Sequence, residues 1–469
     1  MWIRTFKGES LVKRDKETNL SIPLEQRRTS AWDMFATWVG ANANNGTWYI
    51  GGVLAACGFA LAIKVLLFSS VLSYIFLSLV GFIGYKTGVS TMGISRASFG
   101  IRGSYLPSLV NFTQFIGWTA VNTFIAATSV SYLLHDLWGW PLYGHAGGAR
   151  GMFIGIVVMS ILHIISIASG SRSVQLIERV GIVLVFIFVI WESIVVFQTV
   201  SLQQISAWQV PAGLKMNSGV AVDTVAAFNL AWVTAGADFT RFTAKKSSAT
   251  AMPFLGALLG VLWFAFIGLI ATISIAIATG AYDPNNSDPS TIASKLGLGL
   301  LALVVIILTS MTANAVNLMA AGSALSNIFP RLSLKASLWI VAALATLVTF
   351  VPMILGSFLT AFIVFLDYIG MVLGPIISVI IVDFYCRSQR QYQVAELTIR
   401  GGKYWYHFGV NWFAILAWAC GAALFFLLRQ LTFLSTTIGA TFIDMVFSGV
   451  IYYGLMKLWE RRRKQKNAD

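Results

Sequence analysis

The sequence predicts an all-α integral membrane protein with twelve transmembrane helices, arranged as two inverted five-helix repeats and two additional C-terminal helices. Of its 469 residues 57% are hydrophobic and only 11% are charged, whereas a soluble domain carries roughly 25% charged residues. Long apolar runs fill the chain, and its basic residues fall in alternate loops. These observations exclude a secreted disulfide scaffold, a disordered chain and a cytosolic enzyme.

A membrane-spanning helix needs about 20 predominantly apolar residues. Twelve runs meet this requirement, at about 31–57, 60–85, 104–134, 152–170, 177–199, 219–237, 252–279, 296–324, 335–352, 355–385, 407–428 and 434–456. The predicted organisation begins with an N-terminal segment at 1–30, a first repeat at 31–199 and an inverted second repeat at 219–385. Two additional helices follow at 407–456, and a basic tail ends the chain at 457–469.

The distribution of basic residues predicts the orientation. With both termini in the cytoplasm, 27 of the 32 Lys and Arg residues lie in cytoplasmic segments, as basic loop residues do in membrane proteins. The net charge of +14 therefore reflects topology in the cell membrane and not a nucleic-acid partner. The expected partners are the lipid bilayer and a small-molecule substrate, with no obligatory protein partner.

Two predicted spans contain polar interruptions. Residues 39–47 (VGANANNGT) in the first span and 228–238 (FNLAWVTAGAD) in the sixth combine Gly, Asn and Thr at mid-membrane depth. Irregular backbone is tolerated there only inside protein or along a wet cavity. Interrupted segments at matching positions of two halves indicate the midplane site of a transporter.

The third span carries a polar stripe. Gln114, Trp118 and Asn122 recur at i, i+4 and i+8, so they share one helix face. Two amides and an indole offer donors, acceptors and a flat stacking surface to a planar heterocycle. The alternative is that these amides only join helices by hydrogen bonds across the bundle.

Residues 309–317 (TSMTANAVN) place hydroxyls and amides in the eighth span. Because hard cations prefer oxygen ligands, Thr312 together with carbonyls of the first span could hold sodium. The alternative for Thr309 and Ser310 is a hydrogen bond to the preceding turn of their own helix. Asn314 and Asn317 are candidates for substrate binding.

Ionisable residues within spans are functional candidates. Asp367 is the better candidate for a proton relay or gate, Glu192 and Asp223 are expected to be solvated near outer helix ends, and His163 is expected to pack. Asp238 with Arg241 is expected to close the sixth span as an anchor or gate. The cysteines, which are Cys57, Cys386 and Cys420, are expected to be packing residues.

The sequence contains no HExxH, GxSxG or Walker motif, and no cysteine pair beside a histidine, so neither an enzyme nor a cofactor is predicted. Without a nucleotide-binding segment, transport would be driven by an ion gradient or would run downhill. A membrane sensor or a channel is the remote alternative.

Several stretches resemble the bacterial cytosine permeases of the nucleobase–cation symporter family (the purine/cytosine permeases). They are GFIGYKTG at 81–88, RASFG at 96–100, GSYLPS at 103–108, TQ at 113–114, GW at 117–118, ADFTRF at 237–242, VDFY at 382–385 and VNWFAIL at 410–416. The similarity runs from about residue 30 to residue 455. It implies the inverted-repeat fold and import of a nucleobase or related heterocycle coupled to sodium or protons.

The resemblance also implies ligand-binding residues. Gln114 resembles the family's binding glutamine, Trp118 its stacking tryptophan, and Asn314 its asparagine in the eighth span. In the hydantoin permeases a tryptophan and an amide resemble Trp118 and Asn122. The family's second stacking aromatic falls here on Asn229, so the neighbouring Phe228 or Trp232 is expected to replace it.

The resemblance places a sodium site at carbonyls of the first-span break, about Ala43, Asn44 and Asn45, and at positions 309, 312 and 313. Here these positions are Thr309, Thr312 and Ala313, and Ala313 lacks the second hydroxyl of the family pattern. The predicted function is therefore cation-coupled import of a cytosine-like or purine-like heterocycle, with sodium or a proton as the coupling ion. Hydantoin, allantoin or a vitamin-precursor pyrimidine carried with protons is the alternative.

Overall fold

The computed structural model describes residues 21–329 and 331–466, with the backbone alone at 166–182, 286, 334, 464 and 466. All regular structure in these residues is helical. The helices are α1 Ala31–Asn42, α2 Asn45–Leu54, α3 Phe59–Thr87, α4 Thr91–Phe99, α5 Tyr105–Trp138, α6 Ala149–Thr199, α7 Leu202–Ala207, α8 Ser218–Val233, α9 Gly236–Thr240, α10 Lys246–Ala249, α11 Ala251–Thr279, α12 Pro289–Lys295, α13 Gly299–Ile328, α14 Leu334–Thr349, α15 Val351–Leu355, α16 Phe358–Val382, α17 Trp412–Gln430, α18 Thr432–Thr436 and α19 Thr441–Lys466.

Eight helical segments of the described chain are long and apolar enough to cross a membrane. They are Phe59–Thr87, Ser218–Thr240, Lys246–Thr279, Gly299–Ile328, Lys335–Leu355, Phe358–Arg387, Trp412–Gln430 and Thr441–Arg463. The polar stripe of α5 and the division of the first span explain why these two predicted spans are not among the eight.

The fourth and fifth predicted spans differ from expectation. The sequence predicts separate helices at 152–170 and 177–199, whereas the backbone of α6 is helical without interruption from Ala149 to Thr199. This stretch contains no proline, so no residue in it removes a helical hydrogen bond. Two apolar helical stretches, Ala149–Ile165 and Val183–Thr199, lie on either side of the part of α6 that is described by its backbone alone.

Both predicted interruptions are confirmed. The first span is divided between α1 and α2, where Asn44 caps α2 by accepting a hydrogen bond from the Thr47 amide on its side-chain oxygen at 3.0 Å. The sixth span is divided between α8 and α9 at Thr234 and Ala235. Asn at the cap position satisfies a backbone donor that the helix itself leaves unpaired.

Glycines allow α2 to lie directly on α11. A Cβ on Gly51 would come within 1.9 Å of the Ala265 carbonyl oxygen, and one on Gly268 within 1.9 Å of the Trp48 carbonyl oxygen. Small residues at such interfaces let helix backbones approach closely. The second half of the first span is therefore held against α11 by backbone contact.

A polar network joins α16 to the C-terminal helix. A π turn, Asp383–Arg387, follows α16, and the buried Asp383 carboxylate accepts from the Tyr392 hydroxyl at 2.6 Å and from the Tyr452 hydroxyl on α19 at 2.5 Å. Arg387 pairs with Asp383 and, at 3.1 Å, with Glu460. The sequence analysis did not predict this network. Asp383 appeared there only within the VDFY stretch of the family resemblance.

Candidate binding site at the helix breaks

The Trp118 indole lies among aromatic rings from two other helices. The Phe228 ring of α8 is 5.2 Å away at an interplanar angle of 88°. From α16, Phe365 approaches to 5.2 Å and Phe362 to 6.1 Å, again nearly perpendicular. Trp118 and Phe228 are both buried. The two residues that sequence analysis selected as a stacking pair are therefore in contact.

The break of the first span meets the same rings through Gly46. A Cβ built on Gly46 would lie 3.7 Å from Cε2 of Phe228, 3.9 Å from Oδ1 of Asn122 and 3.1 Å from Oδ1 of Asn44. Three interrupted or polar segments, α2, α5 and α8, thus converge on one point. We call the residues Gly46, Trp118, Asn122 and Phe228 the central cluster.

Gln114 lies one turn from the central cluster, at the break of the sixth span. Its Nε2 donates to Oδ1 of Asn111 at 2.7 Å, to the Thr234 hydroxyl at 2.7 Å and to the Ala231 carbonyl at 3.3 Å. The Thr234 hydroxyl donates in turn at 2.7 Å to the Ala231 carbonyl or to Asn111. The Gln114 amide nitrogen therefore fastens α5 to the end of α8.

Three buried polar atoms of the α5 stripe have no hydrogen-bond partner among the described residues. They are Oε1 of Gln114, Nε1 of Trp118 and Oδ1 of Asn122. A buried polar atom without a partner costs roughly 1–3 kcal/mol, and such groups in a native fold call for an explanation. Two acceptors and one donor along a single stripe match the edge of an amide-bearing heterocycle.

Asn229 faces away from the central cluster. Its Oδ1 accepts from the Tyr74 hydroxyl of α3 at 2.9 Å, and its Nδ2 donates to the Ser70 hydroxyl at 3.1 Å. Tyr74 also approaches Oδ1 of Asn42 at 2.7 Å, at the end of α1. The structure therefore places Asn229 in a link between α8, α3 and the first-span break, away from Trp118.

Trp232 lies one turn beyond Phe228 and is half-buried. Its ring is 6.3 Å from Trp38 and 6.4 Å from Phe115, both in edge contact. No ring contact joins it to Trp118 among the described residues. Of the two candidates for the second aromatic, Phe228 is the one in contact with Trp118.

Asn314 of α13 links this helix to α5 and α6, and Asn317 bonds to Asn314. The Asn314 Nδ2 lies 3.2 Å from the Thr119 carbonyl, 3.0 Å from the Thr123 hydroxyl and 3.1 Å from Nε2 of His163. Asn317 donates to Oδ1 of Asn314 at 3.4 Å. The amide nitrogen of Asn314 is therefore already engaged by α5 and by His163 of α6.

Two of the residues selected for a cation site, Asn45 of α2 and Thr309 of α13, are in contact, and their side-chain polar atoms are already paired. The Asn45 Nδ2 donates to the Ile306 carbonyl and to the Ser310 hydroxyl, both at 2.9 Å, and its Oδ1 accepts from the Thr309 hydroxyl at 3.2 Å. The Thr312 hydroxyl donates to the Thr309 carbonyl at 2.7 Å. Asn45 therefore connects the first-span break directly to α13.

A cation at this place would have to compete with those hydrogen bonds. Ala43 and Asn44 supply carbonyl groups at the break, where the chain leaves helical geometry, and the Asn44 carbonyl already accepts from the Trp48 amide at 3.1 Å. On α13, the Thr309 carbonyl already accepts from Thr312, and Ala313 offers no side-chain oxygen. These oxygen atoms are the type of ligand that a hard cation prefers. The set has one hydroxyl fewer than the family pattern, because residue 313 is an alanine.

Residues 21–453 match the family described as permeases for cytosine/purines, uracil, thiamine and allantoin. The chain belongs to this family. It is accordingly a multi-pass membrane transport protein and not an enzyme, and the resemblance seen in the sequence is confirmed.

Relatives with several different named substrates are similar to this permease. The allantoin permease of Bacillus subtilis is 24% identical, with 93% of this chain and 92% of the relative covered. The cytosine permease of Escherichia coli K12 is 27% identical, with 80% and 79% covered. The fold is that of Mhp1, a nucleobase-cation-symport-1 family transporter solved in a closed conformation with bromovinylhydantoin bound, at 18% identity, a TM-score of 0.74 and coverage of 94% and 95%.

The two carboxylic residues that were expected to be solvated are buried, so that expectation is wrong. Glu192 is 0% exposed and accepts from Nε1 of Trp48 at 2.9 Å. Asp223 is 5% exposed and accepts from the Ala440 and Thr441 amides at 2.8 Å. Both expectations relied on distance from the helix ends, whereas neighbouring helices cover both side chains.

The other ionisable candidates have partners. Asp367, expected to relay protons or gate, is paired with Arg429 at 2.5 Å and is partly exposed. His163 is buried and bonded to Asn314, as expected of a packing histidine. The Asp238 Oδ2 accepts from the Thr91 amide of α4 at 3.2 Å, consistent with an anchor.

The cysteines agree with expectation in part. Cys57 is buried and Cys420 is half-buried, but Cys386 is exposed in the π turn after α16. The prediction that Cys386 packs is therefore wrong, because the turn carries its side chain outward.

Sequence analysis missed three residues of the site. Phe362 and Phe365 of α16 contact Trp118, and Phe358 stacks on Phe124 of α5 at 4.5 Å. Phe358, Phe362 and Phe365 follow the i, i+4, i+7 spacing of one helix face, a signal that was present in the sequence. Gly46 was recognised only as part of the broken span, because what it touches depends on the tertiary fold.

Proposed function

We propose that this permease imports a nucleobase or a related planar, amide-bearing heterocycle by cation-coupled alternating access. The observation that carries the proposal is the set of unpaired buried atoms on the α5 stripe, Oε1 of Gln114, Nε1 of Trp118 and Oδ1 of Asn122, beside the aromatic contact with Phe228. Ring N–H groups of the ligand would donate to the amide oxygens, and a ring carbonyl would accept from the indole. The ring itself would pack against Trp118.

The proposed layout has twelve spans with both termini in the cytoplasm. The repeats are 31–199 and 219–385, with 407–456 as two additional helices. The layout is supported by eight apolar segments, by the divided first span and by α5. It additionally requires α6, whose backbone is helical from Ala149 to Thr199, to contribute the two spans expected at 152–170 and 177–199. The matching breaks of the first and sixth spans are what an inverted repeat requires.

The substrate class follows from the chemistry of the central cluster and from the relatives. The Trp118 indole offers an aromatic face and an N–H donor, and the amides of Asn122 and the adjacent Gln114 offer two oxygen acceptors. These groups fit cytosine, purines, uracil and hydantoins alike. Cytosine-like or purine-like bases are the first choice, and allantoin, hydantoin or a vitamin-precursor pyrimidine is the second. Permeases named for cytosine, allantoin and purine–uracil are among the relatives.

Coupling to a cation is supported by the oxygen-rich contact between Asn45 and α13. Sodium would take carbonyls of Ala43 and Asn44 together with the hydroxyls of Thr309 and Thr312. The lack of a hydroxyl at Ala313 and the pairing of the Thr309 carbonyl favour proton coupling as the alternative. Asn314, which bonds to α5 and to His163, and Asn317, which bonds to Asn314, are assigned a supporting role beside the site.

Uptake into proteoliposomes tests the proposal. The purified permease should take up one radiolabelled heterocycle from a panel of nucleobases, hydantoins and allantoin, and the rate should saturate with concentration. The Trp118→Ala variant should lose uptake while remaining folded. Unsaturable flux would indicate a channel, and binding without transport would indicate a sensor, and either outcome would contradict the proposal.

A further inference from the structure

Glu192 is a carboxylic residue buried in the part of α6 that the sequence predicts as the fifth span. Its exposed fraction is 0%, and the neighbours on its helix face, Val185, Val189 and Val196, are also buried. A charged side chain at such a place is costly and indicates a functional role by default. Neither the substrate site nor the oxygen-rich contact on α13 uses it.

The polar contact of Glu192 is with the divided first span. Its Oε2 accepts from Nε1 of Trp48 at 2.9 Å, and its Oε1 has no partner among the described residues. Trp48 lies on α2, three residues after Asn45 and two after Gly46. The half-helix α2 therefore contacts the central cluster through Gly46 and the Glu192 carboxyl through Trp48, two residues further along.

No described cation compensates a charge on Glu192. Of the elements packed against α6, α11 and α13 contain no ionisable residue. Tyr49 on α2 packs its ring on Phe358 and Phe362 of α16 instead. The remaining groups on the neighbouring helices and on α6 are Tyr105, Tyr132, His135 and Asp136 of α5, Lys335 of α14, and Arg150, His163, Arg172, Glu178 and Arg179 of α6.

We propose that Glu192 is the group that binds and releases the co-transported proton. A buried carboxylate without a cation is strongly unfavourable, so the closed arrangement with Trp48 holds the carboxyl in its protonated form. Release of the proton to water requires α2 to separate from α6. The inference rests on the proposed function and makes it more specific, because it names the coupling ion and its residue.

The geometry also provides the link between proton and substrate. A ligand in the central cluster contacts α2 at Gly46, and a proton on Glu192 acts on α2 at Trp48. Two ligands that each bias the position of one mobile element are thermodynamically coupled. A proton taken up by Glu192 on one side of the membrane is thus released on the other side together with the heterocycle.

Other buried carboxylic residues are better satisfied. Asp223 accepts three bonds from Ala440 and Thr441, and Asp288 caps α12. Asp444 on α19 is the exception, since its Oδ2 has no partner among the described residues. It lies against Gly374 of α16 and Gly421 of α17 and has no contact with a helix break, so Asp444→Asn is the matched control.

The test compares two transport modes in proteoliposomes of the full-length protein. In counterflow, unlabelled substrate inside exchanges with labelled substrate outside without an ion gradient. In driven uptake, a proton gradient of one pH unit, acid outside, supports accumulation of up to about tenfold for one proton per substrate. We expect Glu192→Gln to keep counterflow but to lose the accumulation, and Asp444→Asn to keep both.

A second measurement removes dependence on the transported substrate. The infrared spectrum of the purified permease is recorded across a pH titration, and Glu192→Gln should remove one carboxylic acid band that Asp444→Asn retains. Trp48→Phe deletes the N–H donor and should therefore shift the pH dependence of that band. Glu192→Asp should keep a carboxylic acid band that titrates. Thermal unfolding verifies that each variant is folded.

The outcomes separate the two proposals. Three results would each overturn the role of Glu192. They are driven accumulation by Glu192→Gln equal to that of the wild type, loss of driven accumulation in Asp444→Asn alone, and an unchanged infrared titration in Glu192→Gln. Absence of counterflow by the wild type with every heterocycle would instead contradict the proposed function, and the infrared titration would still decide whether Glu192 binds the proton.

Discussion

The rings of Trp118 and Phe228 lie 5.2 Å apart and almost perpendicular, at 88°. The two rings are therefore in edge-to-face contact. A planar ligand held between two rings needs them about 7 Å apart, since each stacking contact spans about 3.5 Å. Binding therefore requires Phe228 or Trp118 to move, and the structure represents the closed contact of this pair.

The first prediction concerns Trp118. Trp118→Phe keeps an aromatic face but removes the indole N–H, so ligand affinity should fall roughly 10-fold, in line with one lost hydrogen bond of about 1.4 kcal/mol. Trp118→Ala should lower it further, because the stacking surface is also lost. Calorimetric titration with the transported heterocycle gives both values. Equal affinities for all three proteins would show that the indole is not in the site.

Gly46 provides the second prediction. Gly46→Ala places a methyl group 3.7 Å from Phe228 and 3.9 Å from Oδ1 of Asn122, where the ligand is expected to bind. Uptake should fall at least 10-fold. Because the methyl group also lies 3.1 Å from Oδ1 of Asn44, which caps α2, the unfolding temperature is measured beside uptake to show that the variant is folded. The control is Gly454→Ala, whose Cβ meets no atom within 4 Å. Normal uptake by Gly46→Ala would mean that the ligand lies elsewhere.

The third prediction separates Asn122 from Asn229. Asn122→Ala removes an acceptor without a partner in the described protein, so it should weaken ligand binding with little loss of stability. Asn229→Ala removes the hydrogen bonds with Tyr74 and Ser70, although the Tyr74 hydroxyl keeps Asn42 as an acceptor, and should lower the free energy of unfolding by roughly 1 kcal/mol or more. Ligand titrations and unfolding curves on both variants are the measurements. Loss of stability in Asn122→Ala and loss of ligand binding in Asn229→Ala would contradict this assignment.

The fourth prediction concerns Asn45. Its amide makes three contacts with α13, so Asn45→Ala should loosen the contact between the first-span break and α13. We expect a lower free energy of unfolding and weaker coupling of uptake to the driving ion. Ser310→Ala removes only one of these contacts and should show a smaller effect. Unfolding curves and driven uptake equal to the wild type in both variants would exclude this role.

The fifth prediction is that the pair of Asp367 and Arg429 contributes little. Both side chains are partly exposed, at 21% and 29%, and pairs of this kind contribute about 0–1 kcal/mol. Asp367→Asn and Arg429→Gln should therefore leave driven uptake within about twofold of the wild type. A loss of driven uptake with preserved counterflow in Asp367→Asn would restore Asp367 as a proton relay.

The helix breaks and the α5 stripe were predictable from the sequence because both depend on local composition. Asn and Gly at 39–47 cannot continue a lipid-facing helix, and the spacing of Gln114, Trp118 and Asn122 fixes a common face. The direction of an amide was not predictable. Asn229 and Phe228 are adjacent in sequence, and only the packing of α3 against α8 decides that one bonds to Tyr74 and the other contacts Trp118.

Burial was the other property that the sequence did not determine. Glu192 and Asp223 lie near the ends of apolar runs, where a position along one helix suggests access to water. Trp48 from α2 and the start of α19 cover these side chains in the fold. Contacts between residues more than 140 positions apart have no signature in a single sequence, and for that reason the contact of Glu192 with the first span was missed.

Thermal unfolding of the detergent-purified permease with a panel of nucleobases, hydantoins and allantoin tests the central cluster most directly. A ligand at 100 times its Kd should stabilise the folded protein by about 2.7 kcal/mol. We predict that at least one heterocycle stabilises the wild type and fails to stabilise Trp118→Ala, with sodium making no difference if Glu192 carries the proton. Equal stabilisation of the wild type and Trp118→Ala by the same heterocycle would contradict the site.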